Sequence, residues 1–143
     1  LAHEIGHWKK KHVLKRIIVS EVIAFIAIYI SFKILQTDFL LKIFSIEADS
    51  FFAKIVILGF IWGIAVFPLS PLAAYLSRRH ERQADCFACE LTDNPDSLAT
   101  SLIKLSKDNL SNLHPHPLYA AFHYSHPPVV QRVRGIRKKI NNC

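Results

Sequence analysis

The chain has 143 residues, 51% of them hydrophobic, with a formal net charge of +7 and no methionine. A mean hydropathy of +0.23 is more apolar than a soluble domain of this size needs and points to a membrane. The basic residues do not indicate a nucleic-acid partner. Lys9, Lys10, Lys11, Lys15 and Arg16 at one end, and Arg132, Arg134, Arg137, Lys138 and Lys139 at the other, lack interleaved aromatics and a recognition-helix pattern. Clusters of this kind beside apolar runs look like cytoplasmic membrane flanks.

The first predicted element begins at once with His3-Glu4-Ile5-Gly6-His7, an HExxH pattern. Residues four apart share one face of a helix, so His3 and His7 can turn their imidazoles to one zinc ion while Glu4 flanks the open position. A catalytic zinc site needs a third protein ligand and a carboxylate that stays off the metal to act as general base. The same five residues also arise by chance on helix surfaces, so the rest of the chain has to complete the set. A helix already running at residue 3, with no methionine before it, is expected of the C-terminal part of a longer protein, inactive on its own.

Two apolar spans follow. Ile17 to Leu35 would cover about 28 Å as a helix, the thickness of a bilayer's hydrocarbon core, with Glu21 and Lys33 close to its ends. Ile55 to Leu76 holds 22 residues without a charge, and Pro68 and Pro71 are expected to kink its later half. Arg78, Arg79 and Arg82 follow the second span, while the connection between the spans has few basic residues. The positive-inside rule therefore predicts a two-helix hairpin with residues 1–16 and 77 onward on the cytoplasmic side. Buried core helices of a soluble protein are the alternative reading of such runs.

After the hairpin, a helical pattern carries Glu81 and Asp85, four apart on one face. Glu81 can supply the third zinc ligand, and Asp85 can accept the outer N–H of a ligand histidine. Two acids beside arginines are ordinarily a solvated surface; the HExxH upstream and the returning hairpin favour the ligand reading. Asn94-Pro95-Asp96 marks a break before an amphipathic helix from about Ser97 to Leu110. Cys86, Cys89 and Cys143 make an odd count, as in a reducing compartment, and the Cys86/Cys89 pair reads as small residues packed in a helix.

LAHEIGHWKKKH at 1–12, RRHERQAD at 78–85 and LHPHPLYAAFHYSHPPVVQR at 113–132 resemble, in order and spacing, the integral-membrane zinc metalloproteases typified by the type I CAAX prenyl protease. Bacterial HtpX-like heat-shock proteases are more distant relatives. The resemblance implies an all-α integral-membrane protein with two transmembrane helices and cytoplasmic helices that bear a zinc site. It implies zinc on His3, His7 and Glu81, Glu4 as general base, and Asp85 supporting the site. It further implies His126 as oxyanion stabiliser and Arg132 as the residue holding the nearby acids; His114, His116 and His123 acquire no role. Residues 1–143 would form part of one peptidase domain, in the endoplasmic reticulum of a eukaryote or the inner membrane of a bacterium. The implied substrate is a peptide or protein, either a prenylated CAAX peptide or, as in the heat-shock branch, a damaged membrane protein. Arg82 after Glu81 and Gln131 before Arg132 depart from the prenyl-protease pattern, which leaves that choice open. A non-catalytic membrane scaffold with a degenerate motif is the alternative of another class.

Overall fold

The computed structural model describes residues 1–46 and 50–140, with Lys139 and Ile140 described by their backbone alone; Cys143 lies outside the described residues. The chain forms α1 (Ala2–Lys9), α2 (His12–Leu35), α3 (Phe39–Ile43), α4 (Phe51–Val66), a 3-10 turn (Phe67–Leu69), α5 (Ser70–Thr92), α6 (Pro95–Asp108), α7 (Pro117–His123) and α8 (Val129–Ile140). No strand occurs among the described residues, in keeping with the predicted all-α architecture.

Local chemistry sets the boundaries. Ser50 caps α4 by accepting from the Ala53 N–H, and Asn94 caps α6 by accepting from Ser97, with Pro95 just inside. Pro68 has no N–H for the helical ladder; α4 stops before it, tightens into the 3-10 turn, and α5 restarts at Ser70. The HExxH helix is shorter than the predicted cytoplasmic segment of residues 1–16. It ends at Lys9, Lys11 takes a left-handed φ of 54°, and α2 starts at His12.

Two compact units result, residues 14–69 and residues 1–13 with 70 onward, so the chain that leaves the second unit at Val13 re-enters it at Ser70. The unit of residues 14–69 holds most of the two apolar stretches. α2, and the run of α4, turn and α5 over Phe51–Thr92, are long and apolar enough to cross a membrane. Large side chains such as Ile17, Phe25, Ile28, Phe60 and Ile64 stay more than half or close to half exposed, unlike those of a core helix. Trp62 Nε1 donates to Ser31 Oγ at 2.9 Å, and Lys54 Nζ donates to Asp38 Oδ1 at 2.8 Å.

The other unit is built around α5. Ala84 and Ala88 are fully buried on it, and Cys89 joins Ala99, Leu102 and Ile136 in a small core with Leu98, Val129 and Val133 packed against it. Cys86 is half-buried, with its Sγ 3.6 Å from Glu90 Oε1.

Candidate metal centre

The site depends on how closely α1 can approach α5. Gly6 sits on the contact: a Cβ there would stand 3.1 Å from Ala84 Cα, 3.2 Å from Ala84 O and 3.2 Å from Phe87 Cδ1. Glycine lets the two helices meet backbone to backbone, and Ala84 answers with the smallest side chain that is not glycine. Gly6 occupies one of the two unspecified positions of HExxH, so the same turn that spaces the histidines also provides the packing surface.

That approach brings His3, His7 and Glu81 together, each able to offer one ligand atom, all within 4.8 Å. His3 Nε2 and His7 Nε2 lie 3.2 Å apart; Glu81 Oε2 is 3.4 Å from the first and Glu81 Oε1 is 3.2 Å from the second. Donors bonded at about 2.0 to 2.1 Å to a tetrahedral ion stand roughly 3.3 Å from one another; the two imidazole nitrogens keep that spacing, each has one Glu81 oxygen at a similar distance, and two imidazoles with one carboxylate are suitable chemistry. The buried Oε2 of Glu81 has no well-aligned hydrogen bond, although His126 Nδ1 approaches it at 2.8 Å and Arg132 Nη1 at 3.7 Å. A carboxylate oxygen buried in this way is suited to a cation.

Asp85 lies one turn on from Glu81. Its Oδ1 is 2.9 Å from His3 Nδ1, and it accepts two hydrogen bonds from Arg132, Nε to Oδ2 at 2.8 Å and Nη2 to Oδ1 at 2.6 Å. The side chains of Glu81 and Asp85 are 6% and 7% exposed, so their mutual repulsion and desolvation need this compensation. The close approach of the Asp85 carboxylate and then of Glu81 outweighs burial and pushes His3 up to about 9. Burial would raise the Glu81 carboxyl, but His3 and His126 outweigh it and hold it at about 2. Asp85 is likewise held low by His3 and Arg132 against the opposing effect of burial.

The remaining expected residues are placed as follows. Glu4 is exposed, one residue from His3, near enough to Arg132 for its charge to be felt there. His126 stands at the edge of the cluster with 64% of its side chain exposed. His114, His116 and His123 are exposed and outside the ligand triangle. Three residues that the sequence did not connect with the site belong to its surroundings. Arg78 Nη1 donates to the carbonyls of Ala120, Ala121 and Tyr124 at 3.0, 3.2 and 2.7 Å, closing the end of α7 and so anchoring the segment that leads to His126. His12, 1% exposed, and Gln83 form a chain behind His7. For His12 the only sequence signal was a histidine five residues beyond the motif.

Peptidase family M48 matches residues 1–140. Among curated proteins, "CAAX prenyl protease 1 homolog" of Arabidopsis thaliana is 35% identical over 140 residues, covering 95% of this chain and 32% of its own length. The Homo sapiens protein of the same name is 35% identical over 139 residues, covering 96% of this chain and 29% of its own length. "Uncharacterized metalloprotease YhfN" of Bacillus subtilis is 26% identical, covering 99% of this chain and 34% of its own length. The crystal structure of S. mikatae Ste24p superposes with a TM-score of 0.81 at 27% identity, covering 95% of this chain and 35% of that one. The chain thus spans about a third of the length of these relatives. Matched by the family model along nearly its whole length, the chain belongs to peptidase family M48.

Proposed function

We propose that this chain carries the catalytic motifs of a zinc-dependent membrane endopeptidase of the CAAX prenyl protease type. The observation that carries the reading is the cluster of His3, His7 and Glu81, in which the two Nε2 atoms lie 3.2 Å apart and the two Glu81 oxygens face one each, Oε2 at 3.4 Å from His3 and Oε1 at 3.2 Å from His7, beside an exposed Glu4. His3, His7 and Glu81 would hold the zinc. When bound, the ion supplies Lewis acidity, polarising the scissile carbonyl and acidifying water.

The protein's own groups divide the remaining work. Glu4, off the ligand set and open to solvent, takes the proton of the attacking water and passes it to the leaving amine. His126, at the mouth of the cluster, donates to the oxygen on which negative charge develops. Asp85 holds His3 by its Nδ1 and so keeps Nε2 turned inward, while Arg132 fixes Asp85 with two parallel hydrogen bonds. Residues 14–69 and the start of α5 place the two apolar spans in the bilayer, and the basic flanks favour a cytoplasmic location for the catalytic motifs.

Substitution Glu4→Gln in the full-length protein should lower peptide hydrolysis by roughly 10² to 10⁴ while zinc stays bound; Glu81→Ala should lose the zinc. Hydrolysis retained by Glu4→Gln would refute the general-base role, and wild-type protein without zinc would refute the metal reading in favour of a scaffold. The relatives named CAAX prenyl protease 1 favour a prenylated C-terminal peptide as substrate. Equal cleavage of prenylated and unmodified peptides would favour quality-control proteolysis instead.

A further inference from the structure

His7 has two ring nitrogens with different surroundings. Nε2 faces the ligand triangle; Nδ1 faces away, 3.2 Å from Nδ1 of His12, and Nε2 of His12 is 2.9 Å from Oε1 of Gln83. The three residues come from different segments: His7 from α1, His12 from the start of α2 and Gln83 from α5. Five positions along an unbroken helix would put His12 on another face. The left-handed turn at Lys11 brings it back beneath His7, where it is 1% exposed and stacks on His80 with ring centroids 4.2 Å apart and planes 8° from parallel.

Hydrogen positions along this chain are interdependent. The Gln83 carbonyl oxygen accepts only, so His12 donates from Nε2. The neutral His12 ring then carries a lone pair at Nδ1, and the Nδ1–H of His7 donates to it. His7 is left with its lone pair at Nε2, inside the triangle. A reversed chain would put a proton on His7 Nε2 and close it to any metal. We propose that His12, backed by Gln83, is a positioning residue that fixes the tautomer and ring angle of His7 for metal binding. The two histidine ligands are thus supported differently: His3 by a carboxylate locked to Arg132, His7 by a neutral imidazole and amide.

The inference rests on the zinc reading above and deepens it. The test uses full-length protein in detergent with three substitutions. His12→Phe keeps a flat ring over His80 and removes both nitrogens; Gln83→Leu keeps the volume and removes the acceptor; Gln83→Glu keeps and strengthens it. Zinc affinity, measured by competition with a chelator, should fall about 10- to 100-fold in His12→Phe and Gln83→Leu and be retained or improved in Gln83→Glu. A packing role predicts the reverse order, with the leucine tolerated and the glutamate harmful. Nitrogen chemical shifts of His7 in chelator-treated protein at alkaline pH should show Nδ1–H in the wild type and a mixture in His12→Phe. His12→Phe and Gln83→Leu binding zinc as the wild type does, or a His7 protonated at Nε2 in the wild type, would overturn the proposal. Failure of the zinc reading looks different: wild-type protein would take up no zinc while His7 still showed Nδ1–H.

Discussion

Gly6→Ala tests whether the separation of α1 and α5 governs the metal centre. The added methyl would meet Ala84 Cα at 3.1 Å, Ala84 O at 3.2 Å and Phe87 Cδ1 at 3.2 Å, whereas carbon atoms rest at about 3.5 to 4.0 Å. The Phe87 ring can swing aside, but Ala84 is backbone in the middle of a helix and fully buried, so relief requires the helices to part by roughly 0.5 Å. Overpacking of this kind costs about 1 to 3 kcal/mol, and replacing glycine in a helix returns about 1 kcal/mol. The net loss of stability is therefore small, about 0 to 2 kcal/mol. The metal centre should feel the change more. His3 and His7 ride on α1 and keep their 3.2 Å separation, while both distances to Glu81 on α5, 3.4 and 3.2 Å, must lengthen. Zinc affinity should fall about tenfold or more, and peptide hydrolysis at saturating zinc by roughly tenfold to a hundredfold, since a 1 Å misplacement costs about 10². Chelator competition, hydrolysis of a model peptide and thermal unfolding on the full-length protein read the three quantities separately. Wild-type zinc affinity and activity in Gly6→Ala would refute the reasoning, because the helices would then have room that the geometry denies them.

The metal-free protein should be most stable between about pH 4.5 and 6.5. His3, raised from 6.5 to about 9, contributes stability that is complete below 6.5 and lost as pH rises through 9; Glu81, lowered from 4.5 to about 2, contributes stability present above 4.5 and lost as pH falls toward 2. A thermal midpoint that stays flat from pH 3 to pH 9.5 in chelator-treated protein would contradict these shifts. Because His3 must be neutral to ligate, zinc uptake at pH 7 should release about one proton from it, seen by calorimetry in buffers of different ionisation enthalpy; buffer-independent heats would count against it. Arg78→Ala frees the three carbonyls at the end of α7 and should lower turnover through a loosened His126 while zinc affinity holds; unchanged turnover would show that the anchor is dispensable. Cys89→Ser should destabilise by about 1 to 3 kcal/mol because a hydroxyl enters an apolar core, whereas Cys86→Ser, half-buried and outside that core, should cost less. A larger effect at Cys86 than at Cys89 would contradict this assignment.

What sequence alone determined are the features with short range. The i, i+4 spacing of His3 and His7, the two apolar spans, the prolines that end α4 and open α6 and α7, and the shared face of Glu81 and Asp85 all follow from helix periodicity, transfer free energy and backbone chemistry within a few residues. Tertiary structure decided what joins α1 to α5 across some seventy intervening positions: the glycine contact that sets the ligand triangle, Arg132 clamping Asp85, and Arg78 closing α7. His12 was hidden for a different reason. Helix periodicity turns it away from His7, and only the left-handed break at Lys11, which packing against α5 holds in place, reverses that direction. A pattern that repeats along the chain can be read from the chain; a contact that depends on one backbone angle or on the distance between two helices exists only once the fold has closed.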